Sequence, residues 1–276
     1  MHVRKLHDIE IGTDLADSVV AGDALDVLPR IEAETFDMVF ADPPYNLQLQ
    51  NELYRPNLTK VDAVDDAWDQ FSDFAAYDAF TEAWLAQVKR VMKPSATLWV
   101  IGTYHNIFRV GKVLQDLGFW ILNDVVWVKA NPMPNFRGVR FTNATETLIW
   151  AVKDKSVKDY TFNYELMKEF NDGKQMRSDW YFPLCRGEER LTEDGKKVHS
   201  TQKPLALLER IVLASSQEGD LVLDPFAGTG TTAHAAAKHH RKFCMIEVNE
   251  HYVEWVLKRL DEVLLTSPQT PDKAAD

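Results

Sequence analysis

The sequence predicts an α/β fold in which helices cover both faces of a mostly parallel sheet. Short apolar segments of strand length alternate along the chain with segments whose apolar residues recur at helical spacing, as in residues 74–92. Two predicted strands end at Asp42 and Asp224 in distinctive turns, and folds of this class bind ligands at the carboxyl ends of their strands. The 276 residues allow one large domain with an insertion or two smaller domains.

Composition excludes several classes of protein. The chain is 45% hydrophobic and 26% charged, as globular proteins are, and its sequence predicts neither a membrane span nor a signal peptide. Two distant cysteines, Cys185 and Cys244, indicate no disulfide framework and no metal site, so a reducing cytoplasm is the expected compartment. The net charge of −11 disfavours a non-specific nucleic-acid binder. Residues 129–210 nevertheless carry 15 lysines and arginines against 12 acidic residues.

The segment before the first turn is short. Residues 1–18 are polar and are expected to form a loose lead. A strand over residues 18–24 ends in Gly22-Asp23, and residues 24–31 predict a short helix. Asp23 could accept a hydrogen bond from an adenine amine or cap this helix, and the position alone favours capping.

The first distinctive turn is Asp42-Pro43-Pro44-Tyr45, directly after the apolar strand of residues 38–41. Pro43 restricts Asp42 to extended geometry, and two prolines cannot continue a strand ladder, so the turn is rigid. The Asp42 carboxylate and the Pro43 carbonyl can accept both N–H donors of a planar exocyclic amine, while Tyr45 stacks on the base that carries it. The alternative for the motif alone is a plain turn with a capping aspartate.

The middle of the chain alternates regular elements with two polar loops. Residues 47–74 have no period, and they predict either a flap over the site or a solvated loop. A helix over 74–92, a strand over 97–101, a helix to about 117 and strands over 120–128 and 146–152 follow. The loop of residues 131–140 could read base edges or form a structured turn.

Residues 153–198 are the least regular segment and the richest in lysine and arginine. Basic side chains alternate there with Trp180, Tyr181 and Phe182, which favours DNA contact; a solvated excursion with an aromatic anchor is the alternative. The next helix is expected to be capped by Ser200 or Thr201, with Lys203 in its first turn. Lysine is unfavourable at that end of a helix dipole, and a bound anion would account for it.

The second distinctive turn predicts a nucleoside site. The strand ending at Asp224 runs into a glycine loop containing Gly228 and Gly230, and the next strand ends in Glu247, an acid suited to a ribose diol. A dinucleotide site requires a third spaced glycine, and Asp224 would repel a pyrophosphate but accept from an ammonium group. S-adenosylmethionine (SAM) is therefore the better match. Asn249 is expected to cap the final helix, and residues 266–276 to form a disordered tail.

At this point the residues resemble a known family. An Asp-Pro-Pro-Tyr motif that precedes a Phe-x-Gly-x-Gly motif is typical of β-group DNA amino-methyltransferases. Longer segments across residues 18–264 resemble the cell-cycle-regulated (CcrM-type) and HinfI-type adenine-N6 methyltransferases, which recognise GANTC. These segments include residues 41–49, 60–66, 99–102, 105–109, 118–124, 131–136, 175–180 and 201–204.

The resemblance implies a circularly permuted, Rossmann-like SAM-dependent methyltransferase fold and assigns roles to individual residues. The catalytic residues would be Asp42, Pro43, Pro44 and Tyr45, which hold a flipped adenine. The cofactor residues would be Asp23 and Ala24 at the SAM adenine, Glu247 at its ribose, Thr201 and Lys203 at its carboxylate, and Asp42, Asp224, Pro225, Phe226, Gly228, Gly230 and Thr231 around the methionine. DNA contacts are expected from Arg55, Lys60, Asn131, Arg137, Arg140, Arg177 and Arg186.

The same resemblance divides the chain into a catalytic half (1–152), a target-recognition insertion (153–198), a SAM-binding half (199–265) and the tail. Double-stranded DNA is the expected partner, no metal or membrane is expected, and the enzyme would be cytoplasmic at the nucleoid and could form a homodimer. Many relatives carry a further C-terminal DNA-binding domain, and this chain ends soon after the last predicted helix. The alternatives are cytosine-N4 methylation, a nicotinamide-dependent oxidoreductase and a catalytically silent DNA-binding regulator.

Overall fold

A nine-stranded sheet forms the centre of the computed structural model, which describes residues 1–46, 71–135 and 138–266. The strands are β1 (His2–Lys5), β2 (Ser18–Ala21), β3 (Phe36–Ala41), β4 (Met92–Gly102), β5 (Trp120–Lys129), β6 (Thr145–Val152), β7 (Asp179–Phe182), β8 (Thr192–Glu193), β9 (Lys196–Lys197), β10 (Leu221–Asp224) and β11 (Lys242–Glu247). The sheet order is β1-β2-β11-β10-β3-β4-β6-β5-β7, and β8 and β9 form a separate hairpin. Only the pairs that β6 makes with β4 and β5 are antiparallel in this described sheet.

Helices cover both faces of the sheet, as the sequence predicts. They are α1 (Ala24–Val27), α2 (Phe74–Val91), α3 (Ile107–Asp116), α4 (Tyr164–Glu169), α5 (Leu205–Ser215), α6 (Thr231–Lys238) and α7 (Glu250–Thr266). The buried residues of α1, α2 and α3 form one apolar core with one face of the sheet, and those of α5, α6 and α7 form a second core with the other. This is the α/β architecture, with helices on both faces of a mostly parallel sheet, that the sequence predicts.

The site lies where the sheet changes its winding direction. Strands β3 and β10 are parallel neighbours. After β3 the chain passes through α2 on one face to β4, whereas after β10 it passes through α6 on the other face to β11. Such a switch point opens a crevice at the carboxyl ends of the two strands. Strand β3 comes early in the chain and β10 comes late, yet they are neighbours in the sheet. The half that contains the Asp-Pro-Pro-Tyr turn therefore precedes the half that contains the glycine loop, which is the permuted order that the resemblance implies.

Several local predictions are confirmed. Asp23 caps α1, because its carboxylate accepts a hydrogen bond from the Leu25 amide at 2.8 Å. Asn249 accepts from the His251 amide at 3.0 Å at the start of α7. The predicted helix over 74–92 is α2, and the strands predicted over 120–128 and 146–152 are β5 and β6.

Other local predictions are wrong. Residues 2–5 are not a loose lead, because β1 pairs with β2. Neither Ser200 nor Thr201 caps α5, which begins at Leu205 after Pro204, so Lys203 precedes the helix. The Leu205 amide donates instead to the Glu189 carboxylate at 2.7 Å. A side chain distant in sequence thus satisfies the helix terminus.

The segment over 153–198 is more regular than expected. It contains α4 and β7, and β7 extends the main sheet by pairing with β5. Trp180 and Phe182 are 4% and 8% exposed and belong to the second core, while Tyr181 is 66% exposed. Two of the three aromatic residues considered for DNA contact are therefore core residues.

Two predicted features fall outside the described residues. The 47–74 loop is described only from residue 71, and the tail only at residue 266. Among the described residues, no helix combines the length and apolarity needed to cross a membrane.

Candidate active site

A cavity of about 300 Å³ opens at the carboxyl ends of β2, β3, β10 and β11. It is lined by every residue predicted to bind cofactor except Gly230 and by the whole Asp-Pro-Pro-Tyr turn: Asp23, Ala24, Asp42, Pro43, Pro44, Tyr45, Thr201, Lys203, Asp224, Pro225, Phe226, Gly228, Thr231 and Glu247. Residues separated by up to 224 positions in sequence, from Asp23 to Glu247, thus meet around one cavity. Its volume is in the range of small-molecule sites.

The Asp42 carboxylate is already hydrogen-bonded on both oxygens. Its Oδ1 accepts from the Tyr45 hydroxyl at 2.7 Å, and its Oδ2 accepts from Lys203 Nζ at 2.6 Å. The side chains of Asp42 and Lys203 are 16% and 6% exposed. Burial raises the pKa of Asp42 and opposes the charge of Lys203, but the two carboxylates near Lys203 outweigh that effect and raise its pKa. Lys203 is therefore a cation.

The contacts of Lys203 lie at the Asp42 turn. The resemblance implies that Lys203 approaches the carboxylate of SAM, whereas its Nζ contacts Asp42 and the Thr201 carbonyl, the latter at 3.2 Å. The ammonium also lies 5.1 Å from the centre of the Tyr45 ring. A dipole-bound anion is not needed to account for this lysine, because the catalytic motif itself supplies its counter-charge.

Two charged residues beside this turn were not found by sequence reasoning. Glu146 Oε2 accepts from the Tyr45 hydroxyl at 3.3 Å and lies 3.9 Å from Lys203 Nζ, while Glu146 Oε1 lies 2.9 Å from Lys129 Nζ. Glu146 and Lys129 have only 9% of their side chains exposed. The available signal was a carboxylate at the start of an otherwise apolar strand, because buried acids are almost always paired.

The turn is held by the helix layer behind it. The Tyr77 hydroxyl, from α2, donates to the Pro44 carbonyl at 2.8 Å and accepts from the Asn106 amide at 3.2 Å. Tyr77 is a core residue that is 1% exposed. Its hydroxyl adds a second function, since it fixes the position of the turn.

Two buried acids organise the opposite side of the cavity. Asp224 accepts from the Phe226 amide at 2.9 Å and from the Thr232 hydroxyl at 2.5 Å, and Glu247 accepts from the Gly228 amide at 2.8 Å. Burial raises the pKa of both acids to about 7. Neither has a cationic partner among these contacts, so a ligand bearing a positive charge and hydroxyl groups would be stabilised here.

Glycine is required at the two positions of the loop for different structural reasons. Both have positive φ, of 52° at Gly228 and 79° at Gly230. A Cβ on Gly228 would lie 3.3 Å from the His199 ring at the cavity, whereas one on Gly230 would lie 2.9 Å from Val256 of α7. Gly230 permits α7 to pack closely against the loop, and its contact with the cofactor stays a prediction.

The remaining wall is largely apolar. Phe226 packs edge-on against Trp84 with centroids 5.3 Å apart and lies 6.1 Å from Phe80. Further lining residues missed from the sequence are Leu25, Phe71, His199, Ile246 and Tyr252. They are scattered along the chain without a motif, so sequence pattern alone offered no means of finding them.

The described residues that were predicted to bind DNA contact different parts of the protein and do not contact one another in the hydrogen bonds and ion pairs given below. Asn131 Oδ1 accepts from the Leu184 amide at 2.7 Å, which makes it a tie between two loops. Arg140 donates to the Tyr104 hydroxyl at 2.7 Å, and Arg177 forms an ion pair with Asp179 at 2.7 Å. Arg186 is exposed. The other three, Arg55, Lys60 and Arg137, lie outside the described residues.

The sequence of this chain is similar to those of known DNA methyltransferases. A family model described as DNA methylase matches residues 36–258. The Type II methyltransferase M.HinfI of Haemophilus influenzae is 48% identical over 251 residues, which are 91% of this chain and 70% of that protein. The Type II methyltransferase M2.LlaDCHI of Lactococcus lactis subsp. cremoris is 43% identical over 88% of this chain and 89% of that protein.

Solved structures show the same fold. The M1.HpyAVI–SAM complex has a TM-score of 0.63 and 26% identity, covering 88% of this chain and 98% of that chain. The PvuII DNA methyltransferase, described as cytosine-N4-specific, has a TM-score of 0.67, with 92% of each chain covered. Its identity is 18%, so this second likeness concerns the fold alone.

Proposed function

This chain belongs to the DNA methylase family, and from that premise we propose that it transfers a methyl group to N6 of adenine in GANTC sites of DNA. It is a SAM-dependent DNA methyltransferase, which decides against the nicotinamide-dependent alternative. The single observation that carries the proposal is the position of the Asp42–Tyr45 turn on the wall of the cofactor cavity.

The cavity fits SAM chemically. SAM, when bound, supplies an electrophilic methyl group on a sulfonium centre. Asp224, which has no cationic partner among its contacts, is suited to the ammonium of the methionine part, and Glu247 to the ribose hydroxyls. The apolar wall around Leu25 and Phe80 would then accept the adenine ring beside Asp23.

The rigid turn is suited to an exocyclic amine. The Asp42 carboxylate and the Pro43 carbonyl would accept its two N–H donors, which orients the nitrogen lone pair out of the base plane. The Tyr77 hydroxyl holds the next carbonyl, that of Pro44, so the turn is preorganised before substrate arrives. Catalysis then consists of positioning and hydrogen-bond polarisation, at the cost of a few kcal/mol for flipping the base.

Adenine is favoured over cytosine by residue 42. Cytosine-N4 enzymes more often carry serine at the position of Asp42, and the long motifs shared with HinfI-type enzymes favour adenine in GANTC. The same likeness favours a target-recognition role for residues 153–198, a homodimer, and action at the nucleoid. Sedimentation velocity would measure the dimer directly.

Mass spectrometry of nucleosides tests the chemistry. Purified protein is incubated with SAM and a duplex containing one GANTC site, and a matched duplex carries GANTG instead. The expected product is N6-methyladenine, formed in the GANTC duplex and nearly absent from its control. N4-methylcytosine as the product, or equal methylation of the two duplexes, would contradict the base or the site respectively.

A further inference from the structure

We propose that Glu146 is a positioning residue for methyl transfer: it receives a donor that Asp42 releases when the amine of the base binds in its place. This inference rests on the proposed function only in that the substrate is an exocyclic amine held by Asp42. It assigns a role to a buried carboxylate outside both motifs.

Asp42 already accepts hydrogen bonds from two donors. Each of its carboxylate oxygens already accepts one short hydrogen bond, from Tyr45 at 2.7 Å and from Lys203 at 2.6 Å. Both bonds are short, so an N–H of the incoming amine must either share an oxygen with one of these donors or displace it. A buried donor that loses its acceptor without a replacement is strongly disfavoured.

Glu146 offers an alternative acceptor to either donor. Its Oε2 lies 3.3 Å from the Tyr45 hydroxyl and 3.9 Å from Lys203 Nζ. A shift of about 1 Å brings the ammonium within the 2.7–2.9 Å range of a charge-assisted hydrogen bond. Lys203 can therefore move from one carboxylate to the other without leaving its charge unpaired.

Glu146 is itself held in place by an ion pair. Its other oxygen, Oε1, lies 2.9 Å from Lys129 Nζ, and both side chains are 9% exposed. The four charges of Asp42, Glu146, Lys129 and Lys203 sum to zero, so the transfer creates no net buried charge. Because Lys129 anchors one oxygen, the second remains directed at the catalytic turn.

The test compares Glu146→Gln, Glu146→Asp and wild type in the full-length protein. Single-turnover methylation is measured at saturating SAM and saturating DNA, using genomic DNA and nucleoside mass spectrometry so that any methylated base is counted. Glutamine keeps the shape but loses the negative charge, and we expect the rate to fall at least about tenfold while SAM affinity stays at the wild-type value. The melting temperature should fall because Lys129 loses its counter-charge, so all rates are measured at a temperature where the variant is folded. Aspartate keeps the charge and should recover part of the rate.

The matched control is Glu209→Gln, which removes a partly buried, lysine-paired carboxylate on α5 outside the cavity. Its rate should equal that of wild type. A folded Glu146→Gln enzyme within twofold of wild type would overturn the inference, as would a rate loss explained by weaker SAM binding or an aspartate variant no faster than the glutamine variant. If Glu146→Gln does not fold, a folded Glu146→Asp enzyme at the wild-type rate overturns it instead.

The proposed function fails separately from this inference. A wild-type enzyme that methylates cytosine would contradict the adenine assignment, yet the comparison of Glu146 variants could be completed on that product. Conversely, N6-methyladenine formed equally by wild type and Glu146→Gln would refute the positioning role and leave the function intact.

Discussion

The chemical role to which each buried acid in this molecule is suited depends on the groups that surround it. Asp42, Asp224 and Glu247 are acids at the ends of three adjacent strands, yet only Asp42 has a lysine partner in the contacts described above. The paired acid is suited to act on a neutral amine, and the other two are suited to a cationic, hydroxyl-bearing ligand. Position along the sheet thus gives acids at the same edge two different electrostatic environments.

Asp42→Ala removes the acceptor that polarises the amine. We expect turnover to fall on the order of 10³-fold or more, while SAM binding is largely retained because Asp224 and Glu247 remain. Transfer of tritiated methyl groups and calorimetric titration with SAM measure the two quantities. Asp78→Asn, which removes an acid paired with Arg109 on the far side of α2, is the control. Methylation by Asp42→Ala at the wild-type rate would refute the mechanism.

The raised pKa values of Asp224 and Glu247 predict how stability depends on pH. Both acids have a pKa of about 7 when folded, against ordinary values of 3.8 and 4.5. Between about pH 4 and pH 7 the unfolded chain therefore binds fewer protons than the folded one, so these groups make the ligand-free protein less stable as pH rises through that window.

Thermal melts without SAM at pH 5 and pH 8 test this prediction. The pH-dependent loss of stability should be smaller in Asp224→Asn than in wild type, by roughly a few °C in melting temperature. Asp116→Asn, an exposed acid on α3, should behave as wild type. An Asp224→Asn variant with an unchanged pH dependence would contradict the raised pKa of Asp224.

At the scale of elements, the glycine loop is stabilised by the last helix. Arg259 of α7 donates to the Thr229 carbonyl at 3.2 Å and to the Thr231 hydroxyl at 2.9 Å. Gly230 lets α7 approach this closely. The last described helix therefore helps to shape the cavity by holding the glycine loop in place.

Gly230→Ala tests that packing. The variant combines a positive φ of 79° with a Cβ placed 2.9 Å from Val256, so we expect a loss of about 2–4 kcal/mol in the free energy of unfolding. Gly173→Ala is the matched control, because its φ is 76° but nothing lies within 4 Å of the added Cβ. Urea denaturation measures both, and equal losses would show that backbone strain alone matters.

At the scale of the whole molecule, an enzyme of net charge −11 acts on a polyanion. Binding must therefore depend on locally clustered basic residues that neutralise phosphates and release counterions. With about two such contacts, DNA affinity falls roughly tenfold between 50 and 200 mM salt. The rate measured below saturating DNA should fall by at least that factor, while SAM affinity stays nearly constant. A flat profile would contradict phosphate contact by the basic segment.

Sequence by itself determined what depends on neighbouring residues. The stiff Asp42–Tyr45 turn follows from two adjacent prolines, and the cap at Asp23 follows from the stereochemistry of helix termini. The alternation of apolar segments determined the α/β class. These features need no knowledge of distant residues, since each is enforced within a few positions of the chain.

Tertiary structure alone decided the partners of Asp42. Strand β6 runs antiparallel to β4 and β5, so its first residues, including Glu146, lie at the edge where the other strands end. Lys129 reaches the same edge from the end of β5, and Lys203 arrives 161 positions after Asp42. Such contacts depend on strand direction and on the closure of long loops, and neither quantity is encoded in a local pattern of residues.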